Sequence, residues 1–451
     1  MSSDLKDLIR ELSEASERLP DDPTSAGFQQ RHRVIQLTNK IRSAVEQPVD
    51  RVSTYHEYIA EMAALRLFID WNAFAHIPPG PDGISYADLV KRLDAEERLV
   101  RRMGRLLVLK DILKPAGLDG VARTKLSEEF VRKDGWGAWF RIGYDSRNRT
   151  NMRWREFFAK YGRKEPVNAT HGNPQSFAHD QDDKSFWDIL DQHYLEDFNA
   201  SMRMVSQAGT PPEIFPWKWI AENAQLVAPD AALVVDVGGG FGHELEMMRK
   251  ECPDIPAERM VLQDRPNVIE EITRLDPPES RGVRKMAHDF FAEQPVKGAL
   301  VYFFKRIMHD WSDKYCRQIL GRIRDVMAPE SRVLIYDFVM TLSPTIDVVV
   351  ADLAMMNLSA KQRTEEDWKE LLKSSGFEIL RIWKDPRGGQ NGLVAEDLAN
   401  VTQAFAQSAK RIQDQAVEAE FPPAEGASAF GIYEYEPTDI VDALRGNGTG
   451  Y

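Results

Sequence analysis

Val234-Val235-Asp236-Val237-Gly238-Gly239-Gly240-Phe241-Gly242-His243-Glu244 decides how this chain is read. Its β-branched residues predict a buried strand with an acid near the carboxyl end. The glycines then let the backbone turn tightly and a ligand approach it before a helix begins. In an open α/β sheet, that turn is where ligands bind. Spacing narrows the ligand class. A dinucleotide fingerprint needs a third glycine three residues after its second, and counting from Gly238 and Gly240 puts His243 at that place. What the chain carries is acid-x-Gly-x-Gly-x-Gly.

Downstream of this stretch, the strand candidates LVVDVG, ERMVLQD, GALVYFF, RVLIYDFV and FEILRIWK alternate with helical segments such as HELEMMRK and YCRQILGRIRDVM. Such alternation is the pattern of a doubly wound α/β sheet, here over residues 231–398. Upstream the texture is helical. Leu5, Leu8, Ile9 and Leu12 recur at helical spacing, Pro20, Pro23 and Gly27 interrupt, and Val34, Leu37 and Ile41 resume. A further helix is expected from Thr54 to Ile77, then ISYADLVKRL and DAEERLVRRMGRLLVLKDIL as two more, with Asp94 capping the second and Glu97 completing a capping box. A hairpin turning between Gly117 and Gly120 follows, and three helices with a hairpin form a winged-helix pattern.

The organisation expected is therefore N-terminal helices over 1–50, a winged helix over 51–130, a helical connector over 131–230, the α/β domain over 231–398 and a tail over 399–451. Within the connector, the polar run from Asn168 to Lys184 reads as an exposed loop. The tail reads as one amphipathic helix followed by a Pro-, Gly- and Glu-rich end.

Composition excludes several classes. A formal charge of −13 argues against nucleic acid or an anionic membrane as partner, since either requires a clustered positive field. The basic run from Arg98 to Arg105 follows Glu96 and Glu97 and reads as a solvated helix face. Cys252 and Cys316 suit neither a disulfide framework nor a zinc site, and no metal is expected. The acidic, amphipathic start lacks the features of a signal peptide, and no apolar run is long enough to span a bilayer, so a cytoplasmic location is expected.

Three further segments carry chemistry. Asp264 closes Met260-Val261-Leu262-Gln263-Asp264, and His288-Asp289-Phe290-Phe291 comes next. Phe304-Lys305-Arg306-Ile307-Met308-His309-Asp310-Trp311-Ser312-Asp313 is the narrowest of the three. The glycine turn resembles the first motif of class I S-adenosylmethionine-dependent methyltransferases. The last segment resembles the signature of plant and fungal small-molecule O-methyltransferases, a family that begins with a winged-helix dimerisation domain. The resemblance runs from about residue 51 through 398 and implies a Rossmann-like domain behind a mostly helical dimerisation domain, S-adenosylmethionine as cofactor, a small aromatic substrate and a homodimer. It places Gly238, Gly240 and Gly242 against the cofactor with Asp236 near its ammonium group, and Asp264 on the ribose hydroxyls. Asp289 would meet the adenine amino group, Phe290 would flank the ring, and Lys305 joins the same cofactor-binding set.

The same resemblance makes His309 the base that deprotonates the acceptor hydroxyl, a task suited to a group titrating near neutrality. Asp337 matches a position where Glu is more usual, and Gln362 stands where the family has a second carboxylate. An amide can hydrogen-bond an imidazole but cannot stabilise an imidazolium by charge. Such a site favours an acceptor that is already acidic, such as a phenol beside a carbonyl. Met308, Met355, Asn357, Phe177 and Trp187 are the acceptor-contact candidates, although the methionines and aromatics suit core packing equally. Trp311 reads as structural, and Asp310 and Asp313 as caps for the next helix. N-methylation remains open. Two rivals stand beside methyl transfer: a pericyclic or dehydration reaction that uses the sulfonium as a fixed charge, and a DNA-binding regulator that keeps only the winged helix.

Overall fold

The computed structural model describes residues 3–19, 25–132, 135–206, 215–384 and 390–397. The helix expected beyond Leu398 lies outside the described residues. The chain opens with α1 (Ser3–Glu17), α2 (Ser25–Val45) and α3 (Pro48–Asp70). Pro48 in the first turn and a Gln47–Asp50 capping box start α3, both satisfying or sparing the orphan N–H groups of a helix start. α1 lies along α2, with Ala15 and Leu37 buried. Ile35 and Val45 of α2 and Val49, Val52, Tyr55 and Ile59 of α3 remain in solvent.

A small antiparallel sheet follows, built from β1 (Ile84–Ser85), β2 (Leu113–Ala116) and β3 (Gly120–Arg123) in the order β1-β3-β2. The helices Tyr86–Leu93 and Glu97–Leu109 come between β1 and β2. Phe68, Phe74, Leu89, Leu107 and Val121 are its wholly buried centre. Asp94 does not cap the second of these helices. It terminates the first, in the left-handed conformation at φ 49°, with its N–H on Val90 O, and Glu96 stands at the next N-cap without a side-chain bond. Asp tolerates the left-handed region that a helix end demands, and that need took precedence.

The run from Asn168 to Lys184 is not an exposed loop throughout. It contains the short helix Pro174–Ala178, and Asn173, Gln175 and Ser176 are buried. Its polar groups find partners inside the protein: Asn173 Oδ1 accepts from Ser176 N at 2.8 Å, and Gln175 joins Thr150 Oγ1 at 2.5 Å and Ser146 Oγ at 2.8 Å. Polar composition signals exposure only when those partners are water.

The large sheet comprises β4 (Val234–Val237), β5 (Met260–Asp264), β6 (Arg284–Ala287), β7 (Val301–Lys305), β8 (Arg332–Met340), β10 (Phe377–Lys384) and β11 (Gln390–Asp397), while β9 (Arg363–Thr364) pairs with β8. Its order is β10-β11-β8-β7-β4-β5-β6, parallel from β8 to β6 and antiparallel at β10 and β11. The doubly wound architecture expected from the alternating segments is present. β6 and β11 carry no clear strand signature. β6 is an edge strand with only partial burial, and Asn391-Gly392 interrupts β11. β7 shows the opposite: Val301, Tyr302, Phe303 and Phe304 are wholly buried, as a central parallel strand requires, and such burial contributes ~1.5–3 kcal/mol per large side chain. β4 lies between β5 and β7, so chain order reverses there and a crevice opens at the strand ends. Both cysteines are free and buried. Among the described residues, no helix is long and apolar enough to cross a membrane.

Candidate active site

The glycine turn after β4 is pinned to its neighbour strand: Gly238 N and Gly239 N both donate to Gln263 O, at 2.8 and 3.1 Å. Gly239 is the position that sterics demand. A Cβ there would lie 2.3 Å from Asp236 Oδ2 and 2.5 Å from Leu262 Cδ1. The spacing pattern treats Gly239 as an arbitrary residue, and only the run of three glycines hints at its need.

Beside this turn is a cavity of about 580 Å³, within the roughly 300–1,000 Å³ of small-molecule sites. Of the residues singled out for the cofactor, Asp236, Gly238, Gly240, Asp264, Asp289, Phe290 and Lys305 line it. Gly242 instead stands at the N-cap of the helix His243–Glu251. Asp236 is buried and its Oδ2 has no hydrogen-bond partner. Burial, reinforced by Glu244, pushes its carboxyl well above the usual range. Asp264 accepts from Gly240 N at 2.8 Å and Arg265 N at 2.7 Å, yet burial still raises its pKa. Lys305 is ion-paired with Glu244, and burial lowers its pKa. A ligand ammonium would supply the donor that Asp236 Oδ2 lacks and would sit among Asp236, Glu244 and Asp264, so the residues present fit S-adenosylmethionine.

Another part of the lining is aromatic. Trp311 lies 4.8 Å from Phe291, 5.8 Å from Phe290 and 6.3 Å from Trp187, the last in a stacked arrangement. Trp187, a candidate for the acceptor, thus lines the cofactor cavity, with the Arg265 guanidinium 5.3 Å above its ring. Phe291, Trp311 and Asp310 also line the cavity, and none was singled out for it from the sequence.

His309 sits in a 3-10 turn, Met308–Asp310, just beyond β7. Its Nδ1 is 2.9 Å from Asp337 Oδ1, and its backbone N–H donates to Asp337 Oδ2 at 3.1 Å. Parallel pairing of Lys305 with Tyr336 brings the two strand ends together and so delivers Asp337 to the ring. On the other side, His309 Nε2 is 3.4 Å from Asp310 Oδ1. Gln362 Nε2 is 3.2 Å from Nδ1, and its Oε1 is buried without a partner. Nδ1 cannot donate to Asp337 and also accept from an amide. We therefore assign the Gln362 amide with Oε1 toward the ring, while the ring's Nε2 faces Asp310. Burial disfavours the imidazolium, but Asp337 and Asp310 outweigh it and raise the His309 pKa. Burial drives Asp310 up to about 6, against the pull of His309.

A residue that sequence reasoning missed holds this turn. Arg363, 1% exposed, donates to Met308 O at 2.9 Å, Trp311 O at 2.8 Å and Asp313 Oδ1 at 2.8 and 2.9 Å. Asp313 is thereby a partner of Arg363 and Lys361, and Ser312 occupies the helix N-cap.

The acceptor candidates are dispersed. Met308 is wholly buried in the core. Asn357 is buried with its amide engaged by Trp154 Nε1 at 2.8 Å and Asn151 Oδ1 at 2.9 Å. Phe177 packs on Phe157 at 5.7 Å, with Arg153 4.9 Å over its face, and is not among the residues that line the cofactor cavity. Met355 is half-buried, and its neighbour Met356 lines a second cavity of about 550 Å³ with Phe158, Leu353 and Lys361.

Residues 225–378 match the O-methyltransferase domain family. An O-methyltransferase of Aspergillus flavus, afvC, is 32% identical over 392 residues, which is 85% of this chain and 92% of that protein. Among solved structures, OxaC in complex with sinefungin and meleagrin superposes with a TM-score of 0.77 at 21% identity, covering 87% of this chain and 98% of its own. A pericyclic reaction enzyme superposes at 0.74 and 23% identity over 88% of this chain and 98% of its own. At these identities the two structures share the fold.

Proposed function

The chain belongs to the O-methyltransferase family, and from that premise we propose that it methylates a hydroxyl group of a small aromatic molecule, with His309 taking the hydroxyl proton. S-adenosylmethionine supplies a methyl group already activated on a sulfonium. The chain's own residues must then bind, align and deprotonate. The single observation carrying this reading is the contact of 2.9 Å between His309 Nδ1 and the wholly buried Asp337 carboxylate. It holds the proton on Nδ1, leaves Nε2 as the proton acceptor, and supports the imidazolium that forms. Asp236, Glu244 and Asp264 would receive the cationic end of the cofactor, and the Trp311 wall would take its flat ring.

The pericyclic or dehydrating alternative is disfavoured by family membership and by retention of an oriented base, which a fixed charge alone would not need. A homodimer is supported by the exposed row Ile35, Val45, Val49, Val52, Tyr55 and Ile59, which a partner would cover. Free Cys252 and Cys316 suit a reducing, cytoplasmic setting.

The test is incubation with S-adenosylmethionine and a panel of phenolic polyketides and aromatic alkaloids, following S-adenosylhomocysteine release and product mass. A gain of one methyl group with matching S-adenosylhomocysteine is expected. His309→Ala should keep cofactor affinity while lowering turnover by about 10²-fold or more, and wild-type turnover in that variant would remove His309 from the mechanism.

A further inference from the structure

Most cations around the cofactor cavity are already engaged. Lys305 is paired with Glu244, Arg265 with Asp191, and Arg203 lies 5.4 Å over the Phe241 ring. Arg306 differs. It lines the cavity, its Nε is shut off from solvent without a partner, and among the described residues its guanidinium makes no hydrogen bond or ion pair. A buried charged donor without a partner is costly. The backbone adds a second cost: Arg306 adopts φ 55°, a left-handed conformation rare for a long side chain, locked by its N–H on Tyr336 O at 3.0 Å. A strained backbone that holds an unpartnered guanidinium at a cavity points to a ligand that supplies the missing acceptor.

The position of the charge identifies that ligand. Arg306 lines the cavity together with Asp310, whose Oδ1 is 3.4 Å from His309 Nε2, and it interacts electrostatically with Asp337, Glu244, Asp310 and His309. The bound cofactor would bring a second positive charge, the sulfonium. An anion between two cations is stabilised by both. Gln362 beside His309 is uncharged and adds no charge of its own to support an imidazolium, and a hydroxyl that is already acidic does not need that support.

We infer that Arg306 binds the acceptor as an oxyanion, and that the substrate class is a phenol or enol conjugated to a carbonyl and ionised near neutral pH. This rests on the methyl-transfer reading above. In the reaction, the hydroxyl proton goes to His309 Nε2 or has already left to solvent. The O–CH₃ bond forms as the S–CH₃ bond breaks, the S–C electron pair stays on sulfur, and the oxyanion and sulfonium charges are lost together.

The probe is 4-hydroxy-6-methyl-2-pyrone, an enol that is anionic at neutral pH, compared with its neutral 4-methoxy ether. Calorimetry on the protein saturated with S-adenosylhomocysteine should show the anion bound about tenfold or more tightly than the ether. Arg306→Met should erase that preference while leaving S-adenosylhomocysteine affinity within about twofold, and Arg306→Lys should retain part of it. Lack of preference in the wild-type protein, or an unchanged preference in Arg306→Met, overturns the inference. So does a loss of S-adenosylhomocysteine affinity in Arg306→Met, which would give Arg306 to the cofactor's carboxylate. Failure of the wild-type protein to bind S-adenosylhomocysteine at all would instead sink the methyl-transfer reading.

Discussion

Asp337→Asn separates charge from shape at the centre of the site. The side chain is wholly buried, its Oδ1 is 2.9 Å from His309 Nδ1, and its Oδ2 accepts the His309 backbone N–H. Two unit charges ~4 Å apart attract by ~4 kcal/mol at an effective dielectric of ~20, and a neighbouring opposite charge shifts a titrating group by roughly 1–3 pKa units. Asp337 favours the imidazolium, so removing its charge lowers the His309 pKa, and burial then prevails. The acid limb of kcat/KM should move to lower pH by roughly 1–3 units. The weaker base and the unfixed tautomer should lower the plateau by about 10²-fold. Because the folded-state pKa of His309 is raised, the stability that the pair contributes is fully present below the unfolded value of about 6.5 and is lost as pH rises through the folded value. The stability gap between wild type and variant should therefore be widest in acid and narrow on the alkaline side. Histidine ring NMR of the S-adenosylhomocysteine complex reads the pKa directly, and S-adenosylhomocysteine release reads the pH–rate profile. A His309 ring that titrates at the same pH in the variant, with an unmoved acid limb, would refute the coupling.

Asp310→Asn should also lower the His309 pKa, but by less than Asp337→Asn, because its contact is 3.4 Å rather than 2.9 Å. The same NMR titration ranks the two, and an equal or larger shift would contradict that order. Gly239→Ala forces a Cβ to within 2.3 Å of Asp236 Oδ2 and should weaken S-adenosylhomocysteine binding by about tenfold or more, ~1.4 kcal/mol. Calorimetry showing wild-type affinity would remove the steric argument. Arg363→Met strips donors from Met308 O, Trp311 O and Asp313 and should cost roughly 3–5 kcal/mol of stability in urea denaturation, with a loss under about 1 kcal/mol counting against Arg363 as the clamp of the Met308–Asp310 turn.

Much of the fold was legible because its strands announce themselves locally. β4, β5, β7 and β8 are continuous apolar runs, as strands buried on both faces must be. β6, at the sheet's edge and only partly buried, carries no such signal, and neither does β11. Asp94 went to the wrong helix end because the same residue type suits an N-cap and a left-handed C-cap, and only the backbone path chooses between them. The polar run containing Gln175 looked exposed because the Gln175 partners Thr150 and Ser146 lie 25 and 29 positions away.

The same division holds for the site. Asp236, Asp264 and the glycine turn were found in the sequence because strand, turn and helix are contiguous, so their chemistry is written in one short span. His309 was found by its neighbours Asp310 and Trp311. The sequence by itself determined the doubly wound fold, the cofactor class and the candidate base, all of which rest on local pattern. Tertiary structure decided what surrounds them. It set Asp337 on His309, placed Arg363 on the Met308 carbonyl from 55 residues away, put Trp187 in the lining of the cavity and, among the described residues, left Arg306 Nε without a hydrogen-bond partner. Pairing, desolvation and the absence of a partner depend on through-space distance in a low-dielectric interior, and no spacing along the chain encodes them.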